Sequence, residues 1–158
     1  MTEAKIIPII GSNYPKVVIP ALKEAKTQIW AMMYEWKWYG YEKAGGVQEI
    51  NNIIVYKKKL GLSVQILLNI ESMGHAITKI NSRTASFFQK AGIDVKFGQI
   101  GVATHAKLLI LDQKIAVVGS HNFTKGAFTR NQEVSVLIDG SEAIRPFIDY
   151  FKLLWQRF

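Results

Sequence analysis

The segment THAKLLILDQKIAVVGS, residues 104–120, is the most informative part of the chain. Two apolar runs, Thr104–Leu111 and Ile115–Ser120, are separated by only three residues, Asp112-Gln113-Lys114. Short apolar runs bounded by turn residues are typical of buried strands. The segment therefore predicts a β-hairpin.

A two-residue turn at positions 113 and 114 fixes the register expected for this hairpin. It pairs Lys107 with Ser120 and His105 with Asn122, and directly opposed side chains share one face of a sheet. We therefore expect these four side chains to form one polar patch on otherwise apolar strands.

The rest of the chain alternates between strand and helix patterns around the hairpin. Strands are predicted at Lys5–Ile10, Thr27–Tyr34, Ser63–Ile70, Asp94–Phe97 and Glu133–Ile138, and helices at Val17–Ala25, Val47–Leu60, Arg83–Lys90 and from about Ser141 to the end. The polar stretch Glu71–Asn81 is left outside the helices. This order predicts an α/β fold in which a mixed sheet is flanked by helices on both faces, within one domain spanning residues 1–158.

Composition limits the classes of function. The chain has 158 residues, of which 49% are hydrophobic and 20% charged, which excludes a disordered or low-complexity protein. The formal net charge of +8 favours an anionic partner, such as nucleic acid or an acidic membrane surface. The absence of cysteine excludes a thiolate nucleophile, a Cys-ligated zinc site and disulfides.

Location is predicted from what the sequence lacks. No apolar stretch is long enough to span a bilayer, and no secretory signal is seen. A cytoplasmic protein without a membrane span is therefore expected, although a signal that had been removed would leave no trace.

The polar patch has the chemistry that a phosphodiester site needs. The imidazole of His105 is a nucleophile and proton carrier near neutral pH. Lys107 supplies a point charge for a phosphate oxygen, and the Asn122 amide can donate to another. Glu133 can accept the second ring N–H of His105 and so fix its tautomer.

The spacing of these residues resembles a known signature. His105-x-Lys107-x4-Asp112-x6-Gly119-Ser120-x-Asn122 resembles the HxK(x)4D(x)6GSxN pattern of the phospholipase D superfamily, and Glu133 lies about where the family has a downstream acid. The chain looks most like the short, single-motif members, the bacterial endonucleases.

The resemblance implies a mechanism and a partner. In the family two motifs meet at one site, where one histidine forms a covalent phosphohistidine and the other protonates the leaving oxygen, without a metal or other cofactor. Only one motif is present here, because neither His75 nor His121 is followed by the required Lys and Asp. The resemblance therefore implies a homodimer with one shared site.

The resemblance also assigns roles to residues. It implies that His105 is the nucleophile or acid, that Lys107 and Asn122 bind phosphate, and that Glu133 orients the histidine. Ser120 gives a supporting hydrogen bond, and Asp112 and Gly119 are supporting residues, with Asp112 structural.

Substrate contacts outside the motif are expected in two loops. Lys125 and Arg130 lie between the Asn122 and Glu133 positions and are candidates for flanking phosphates. In the aromatic loop 35–46, unpaired bases are expected to stack on Trp36, Trp38, Tyr39 or Tyr41 while Lys37 and Lys43 meet phosphates. The alternative for these aromatic residues is packing or subunit contact. His121 is expected to point away from the patch.

Together these features predict a metal-independent phosphodiesterase, with endonuclease cleavage of DNA or RNA as the leading interpretation. Two alternatives stay open. One is phospholipid hydrolysis or headgroup exchange of the phospholipase D type, and the other is a nucleic-acid-binding module of a restriction or repair complex with little or no catalysis.

Overall fold

The computed structural model describes residues 3–41 and 44–158. The strands are β1 (Lys5–Ile10), β2 (Gln28–Met33), β3 (Ser63–Leu68), β4 (Asp94–Phe97), β5 (Lys107–Leu111), β6 (Ile115–Gly119) and β7 (Val134–Asp139). The α-helices are α1 (Tyr14–Glu24), α2 (Val47–Lys59), α3 (Ala76–Lys90), α4 (Lys125–Thr129) and α5 (Arg145–Arg157). Strands β1 and β4 have the predicted bounds.

The seven strands form one mixed sheet in the order β1-β7-β6-β5-β2-β3-β4. Strands β2, β3 and β4 are parallel, whereas β5, β6, β7 and β1 join by antiparallel pairs. Helices cover both faces, which confirms the predicted fold class.

The apolar runs are continuous because the central strands are buried on both faces. In β5, Leu109 and Leu111 belong to the core beneath α1 to α4, whereas Leu108 and Ile110 belong to the core beneath α5. The amphipathic pattern of the last helix fits this arrangement, since Phe151 stacks on Trp30 of β2 with ring centroids 5.1 Å apart.

The end of β2, the start of β5, the end of β6 and the start of β7 lie at one edge of the sheet. The register pairs Met33, the last residue of β2, with Lys107, the first residue of β5. It also pairs Gly119, the last residue of β6, with Ser135 near the start of β7. Lys107, Gly119 and the signature residues next to them in the chain are therefore gathered at this edge, called the site edge below, whereas Asp112 lies in the turn at the other end of the hairpin.

The hairpin differs from its prediction in length and register. Strand β5 begins at Lys107, so Thr104–Ala106 precede it, and Leu111 pairs directly with Ile115. The turn thus has three residues, and the predicted two-residue turn is wrong. The one-residue shift brings Lys107 level with Gly119 instead of Ser120.

Helix α3 begins at Ala76, so the prediction that it starts near Arg83 is wrong. Its buried face includes the polar residues Thr78, Asn81 and Thr84, which hide the apolar periodicity of an amphipathic helix. The Nδ1 atom of His75 accepts a hydrogen bond from the Ile77 N–H at 3.2 Å and caps the first turn. None of the helices in the described ranges is long and apolar enough to cross a membrane.

Candidate active site

His105 and Lys107 lie together at the site edge. The Lys107 Nζ atom is 3.1 Å from Nδ1 and 3.3 Å from Nε2 of His105, and it donates a hydrogen bond to the His105 carbonyl oxygen at 2.6 Å. Tyr34, which follows β2, packs beside both residues. Its ring centroid is 4.8 Å from the imidazole centroid and 5.2 Å from Lys107 Nζ. The imidazole itself is exposed, so a substrate can reach it.

The charge on Lys107 is set by two opposing effects. Partial burial lowers the pKa of its ammonium, and the nearby Glu133 carboxylate raises it in part. A partly desolvated cation interacts more strongly with an anion than a fully hydrated one does. Lys107 is therefore suited to bind a phosphate oxygen beside His105.

Asn122 is positioned by the chain that follows β2. Its Oδ1 atom accepts a hydrogen bond from the Glu35 N–H at 3.2 Å. Backbone bonds from Phe123 N–H to the Glu35 carbonyl at 3.0 Å and from Lys37 N–H to the Phe123 carbonyl at 2.9 Å continue the pairing. With Oδ1 held in this way, the Asn122 amide group is oriented and keeps its Nδ2 hydrogens as donors.

Glu133 is held by two neighbours. The Ser120 hydroxyl donates to its carboxylate and accepts a hydrogen bond from the Val134 N–H at 3.0 Å, while Asn131 Nδ2 donates to Glu133 Oε1 at 3.2 Å. In the described part of the chain, Glu133 forms these bonds and not the predicted one to His105, whose ring nitrogens lie beside Lys107. The Glu133 carboxylate is also near enough to Lys107 to raise the pKa of its ammonium in part.

Gly119 is required by close packing between β6 and β7. A Cβ atom at this position would lie 2.3 Å from Ser135 Oγ and 2.4 Å from Ser135 Cα. Any side chain would therefore push the two strands apart beside Ser120 and Glu133.

Asp112 lies at the opposite end of the hairpin from His105. Its carboxylate accepts hydrogen bonds from the backbone N–H groups of Lys26 at 2.9 Å, Thr27 at 2.8 Å and Gln28 at 3.0 Å, and from the Thr27 hydroxyl at 2.9 Å. Burial raises its pKa, but the bonds from Gln28, Thr27 and Lys26 together outweigh burial and hold the pKa below its usual value. Asp112 thus connects the hairpin turn to the start of β2.

Two buried asparagines that sequence reasoning did not single out position the segment before His105. Asn69 Oδ1 accepts the Thr104 N–H at 2.7 Å. Asn81 Nδ2 donates to the carbonyls of Asn69 at 2.9 Å and Tyr34 at 2.8 Å, and its Oδ1 accepts the Trp36 N–H at 3.0 Å. The sequence gives only a weak indication of this role: Asn69 directly follows an apolar run, where a polar residue marks the end of a strand.

His121 is buried and points away from His105. Its Nδ1 lies 2.7 Å from Ser135 Oγ, and its Nε2 lies 2.7 Å from the Gly11 carbonyl oxygen. Since a carbonyl only accepts, Nε2 carries the proton and Nδ1 accepts from Ser135. His121 therefore joins the chain after β1 to β7.

A cleft of about 560 Å³ opens beside Asn122 and Glu133, and we call it the cationic cleft. One wall comes from the loop after β2 and the other from α4 and the residues that follow it. Lining residues are Glu35, Lys37, Tyr39, Tyr41, Thr124, Lys125, Gly126, Thr129, Arg130 and Asn131. Burial raises the pKa of the Glu35 carboxyl, and the Lys37 ammonium partly lowers it. The structure thus brings together Lys37, Lys125 and Arg130, which the sequence proposed as substrate-binding residues.

The aromatic residues of loop 35–46 have different environments. Trp38 is 41% exposed, whereas Trp36 is fully buried and its Nε1 donates to Asn51 Oδ1 at 2.7 Å. The prediction that Trp36 stacks on a base is therefore wrong, because its ring is part of the core. Lys43, a further predicted phosphate contact, lies outside the described residues.

Within residues 3–41 and 44–158, no three His, Asp or Glu side chains lie close enough together to hold a metal ion.

The sequence matches one family model, described as cardiolipin synthase, PLD-like domain, over residues 18–155. It is 29% identical over 98 residues to mitochondrial cardiolipin hydrolase of Mus musculus, covering 62% of this chain and 42% of that protein. It is 28% identical over 110 residues to phospholipase D of Rickettsia conorii, covering 68% of this chain and 52% of that one. The chain thus spans about half the length, or less, of these curated relatives.

The fold matches a crystal structure of Nuc from Salmonella typhimurium, a phospholipase D family member. The TM-score is 0.80 at 23% sequence identity, and the match covers 98% of this chain and 95% of Nuc. The similarity extends over nearly the whole of both chains, so the sheet order and the helices described above form one known architecture.

Proposed function

We propose that this chain, which belongs to the phospholipase D superfamily, is a metal-independent phosphodiesterase that cleaves nucleic acid. The observation that carries this proposal is the juxtaposition of an exposed imidazole and a partly desolvated ammonium. Lys107 Nζ lies within 3.3 Å of both ring nitrogens of His105. Two residues that line the cationic cleft, Glu35 and Asn131, form hydrogen bonds to Asn122 and Glu133. Such a pair can attack a phosphodiester and hold its charge at the same time.

The proposed reaction has two displacements. The imidazole of His105 forms a bond to phosphorus as the bond to the leaving oxygen breaks, and a second histidine gives that oxygen its proton. A water molecule then attacks the phosphohistidine, its proton passes to the second histidine, and the P–N bond breaks. Lys107 and the Asn122 amide hold the non-bridging oxygens, where negative charge increases in each transition state.

The second histidine is proposed to come from a second copy of the chain. Each chain has one signature, so two copies must place their site edges together around a two-fold axis. Exposed apolar residues next to the site support this contact. Ile10 and Val134 are paired across β1 and β7, are 56% and 62% exposed, and lie beside Glu133. Contiguous exposed apolar side chains are typical of protein interfaces.

Nucleic acid is favoured over lipid by the charge of the cleft. Lys37, Lys125 and Arg130 line it, against the single carboxylate of Glu35 in the same lining. Several cations spaced along one groove fit a polymer with a phosphate on every unit.

Phospholipid hydrolysis is the second candidate. The relatives named above as cardiolipin hydrolase and phospholipase D support it. So do three exposed apolar side chains on the loops after β3 and β4, at the site edge: Met73, Ile100 and Val102. Apolar side chains on loop tips are suited to contact a lipid surface.

The test is one set of reactions in EDTA. The purified protein and its His105→Ala variant are incubated with labelled single-stranded DNA, double-stranded DNA, RNA and phospholipid vesicles. We expect the wild type to cut nucleic acid and the variant to be inactive while still binding it. Hydrolysis of the lipid alone would favour the second candidate. Loss of activity on chelation, with recovery on adding a divalent ion, would contradict the metal-independent mechanism. If the wild type bound nucleic acid without cleaving it, the proposal would be wrong and the protein would be a nucleic-acid-binding module.

A further inference from the structure

Next to the cationic cleft lies a second, smaller cavity with an aromatic lining. It has a volume of about 200 Å³ and is lined by Trp38, Tyr39, Gly40, Tyr41, Gln48 and Asn52. Tyr39 and Tyr41 line both cavities, so the cationic cleft and this aromatic pocket adjoin. Positively charged side chains and aromatic rings therefore lie next to each other on this surface.

The aromatic pocket presents rings that are held in place and still accessible. Trp38 stacks on Phe87 of α3, with ring centroids 5.9 Å apart and planes at 26°. Tyr41 is 55% exposed and packs edge-on against Tyr39, with centroids 5.8 Å apart. Rings supported from behind lose little entropy when a flat ligand stacks on their free surface.

The walls of the cationic cleft are joined by hydrogen bonds, so the cleft is formed before a ligand arrives. The Tyr39 hydroxyl accepts the Lys125 N–H at 2.7 Å, which ties the loop after β2 to α4. The backbone pairing of Glu35 and Lys37 with Phe123 adds two more bonds between the same walls. A preformed groove avoids the cost of ordering its walls on binding.

The cleft is also connected to the catalytic residues. Glu35 lines the cleft and its N–H binds Asn122, whereas Asn131 lines the cleft and its amide binds Glu133. A strand whose scissile phosphate lies at His105 would therefore place its neighbouring nucleotides in the cleft.

We propose that the cationic cleft and the aromatic pocket bind single-stranded nucleic acid next to the cleavage position. Lys125, Arg130 and Lys37 contact the phosphates, and an unpaired base stacks on Trp38 or Tyr41. This inference rests on the proposed function and adds the strandedness of the substrate. In a duplex the faces of the bases are covered by their neighbours, so only a single strand offers a base for stacking.

Binding is measured by fluorescence anisotropy in the His105→Ala background, so that the oligonucleotide stays intact. The probes are a labelled single-stranded oligonucleotide and a hairpin duplex of the same composition. We expect the single strand to bind at least tenfold more tightly. Lys125→Gln combined with Arg130→Gln should weaken that binding and reduce the slope of log K against log salt by about 1.4, because each phosphate contact on a single strand contributes about 0.7.

The aromatic pocket and the charge are tested by separate variants. Tyr41→Ala should weaken single-strand binding on the order of tenfold with no change in salt slope, because one stacking contact is lost and no charge changes. Tyr41 has its ring contact with Tyr39 alone among the described aromatic pairs, so truncation leaves the core intact. The matched charge control is Lys58→Gln with Lys59→Gln, in the last turn of α2 at the end of the sheet remote from the site edge. This control should bind like its parent.

Two results would overturn the inference: equal or tighter binding of the duplex, or cleft variants that bind the single strand no differently from the control. Displacement of the oligonucleotide by cardiolipin vesicles at equal phosphate concentration, with no preference for the single strand, would likewise overturn it in favour of a lipid ligand. Cleavage by the wild type in EDTA is scored separately. Its absence would reject the proposed function, whereas cleavage without single-strand preference would reject this inference alone.

Discussion

Replacement of Asp112 tests how the fold holds the hairpin of the signature in place. The carboxylate accepts hydrogen bonds from three backbone N–H groups and one hydroxyl, all within residues 26–28. A hydrogen bond to a charged group contributes about 1.5–3 kcal/mol, but water can reach the exposed donors of Lys26 and Thr27 when the carboxylate is absent. Asp112 also has φ of 53°, a left-handed conformation that costs alanine about 1 kcal/mol. We expect Asp112→Ala to lower the free energy of unfolding by about 3–5 kcal/mol.

Asp112→Asn separates charge from geometry. Asparagine tolerates the left-handed conformation and keeps Oδ1, which accepts most of the bonds, so the expected loss is about 1–2 kcal/mol at pH 7. The folded-state pKa of Asp112 is below its unfolded value of about 3.9, so its stabilisation is present above that pH and is lost as the pH falls through the folded-state pKa. The difference between wild type and Asp112→Asn should therefore shrink as the pH falls below about 3.9 and through the folded-state pKa.

The assay is urea unfolding followed by circular dichroism at a series of pH values. Asp149→Asn, which removes an exposed carboxylate on α5, is the control and should change stability by less than about 0.5 kcal/mol. A loss below about 1 kcal/mol in Asp112→Ala, or a difference between wild type and Asp112→Asn that stays constant with pH, would refute the reasoning.

Two other substitutions probe the strands beside the site. Gly119→Ala should lower the unfolding free energy by about 3 kcal/mol or more, because its Cβ would overlap Ser135; wild-type stability in urea would show that β6 and β7 are not packed as described. His121→Leu should lower the free energy of unfolding by about 2–4 kcal/mol, because it leaves the Ser135 hydroxyl and the Gly11 carbonyl without their hydrogen-bond partner. At a low temperature at which this variant is still folded, phosphodiester cleavage should persist, because His121 is buried. Complete loss of cleavage under those conditions would indicate a direct role of His121 in the reaction and would contradict this prediction.

The sequence predicted the sheet well where burial alone sets the pattern. Strands such as β1 and β4 are apolar runs ended by turn residues, and α2 and α5 have the spacing of amphipathic helices. The signature also brought His105 and Lys107 together correctly, because two residues of fixed spacing beside one strand cannot separate far.

Features that depend on contacts distant in sequence could not be predicted in this way. In the three-residue hairpin turn, Asp112 is held by Thr27, which lies 85 positions away along the chain. The early start of α3 was missed because Asn81 and Thr84 are buried to satisfy the backbone of the loop after β2, and periodicity counts only apolar residues. For the same reason Trp36 and Trp38 look alike in sequence, although only one of them belongs to the core.

One active site is proposed to need a histidine from each of two chains. Subunit mixing tests it most directly: wild type and His105→Ala are combined in known ratios under conditions of subunit exchange, and phosphodiester cleavage is measured at constant total protein. If both histidines serve one site, mixed dimers are inactive and activity follows the square of the wild-type fraction, giving about one quarter at an equal mixture. Activity that falls linearly, to about one half at that mixture, would show that each chain works alone and would contradict the account.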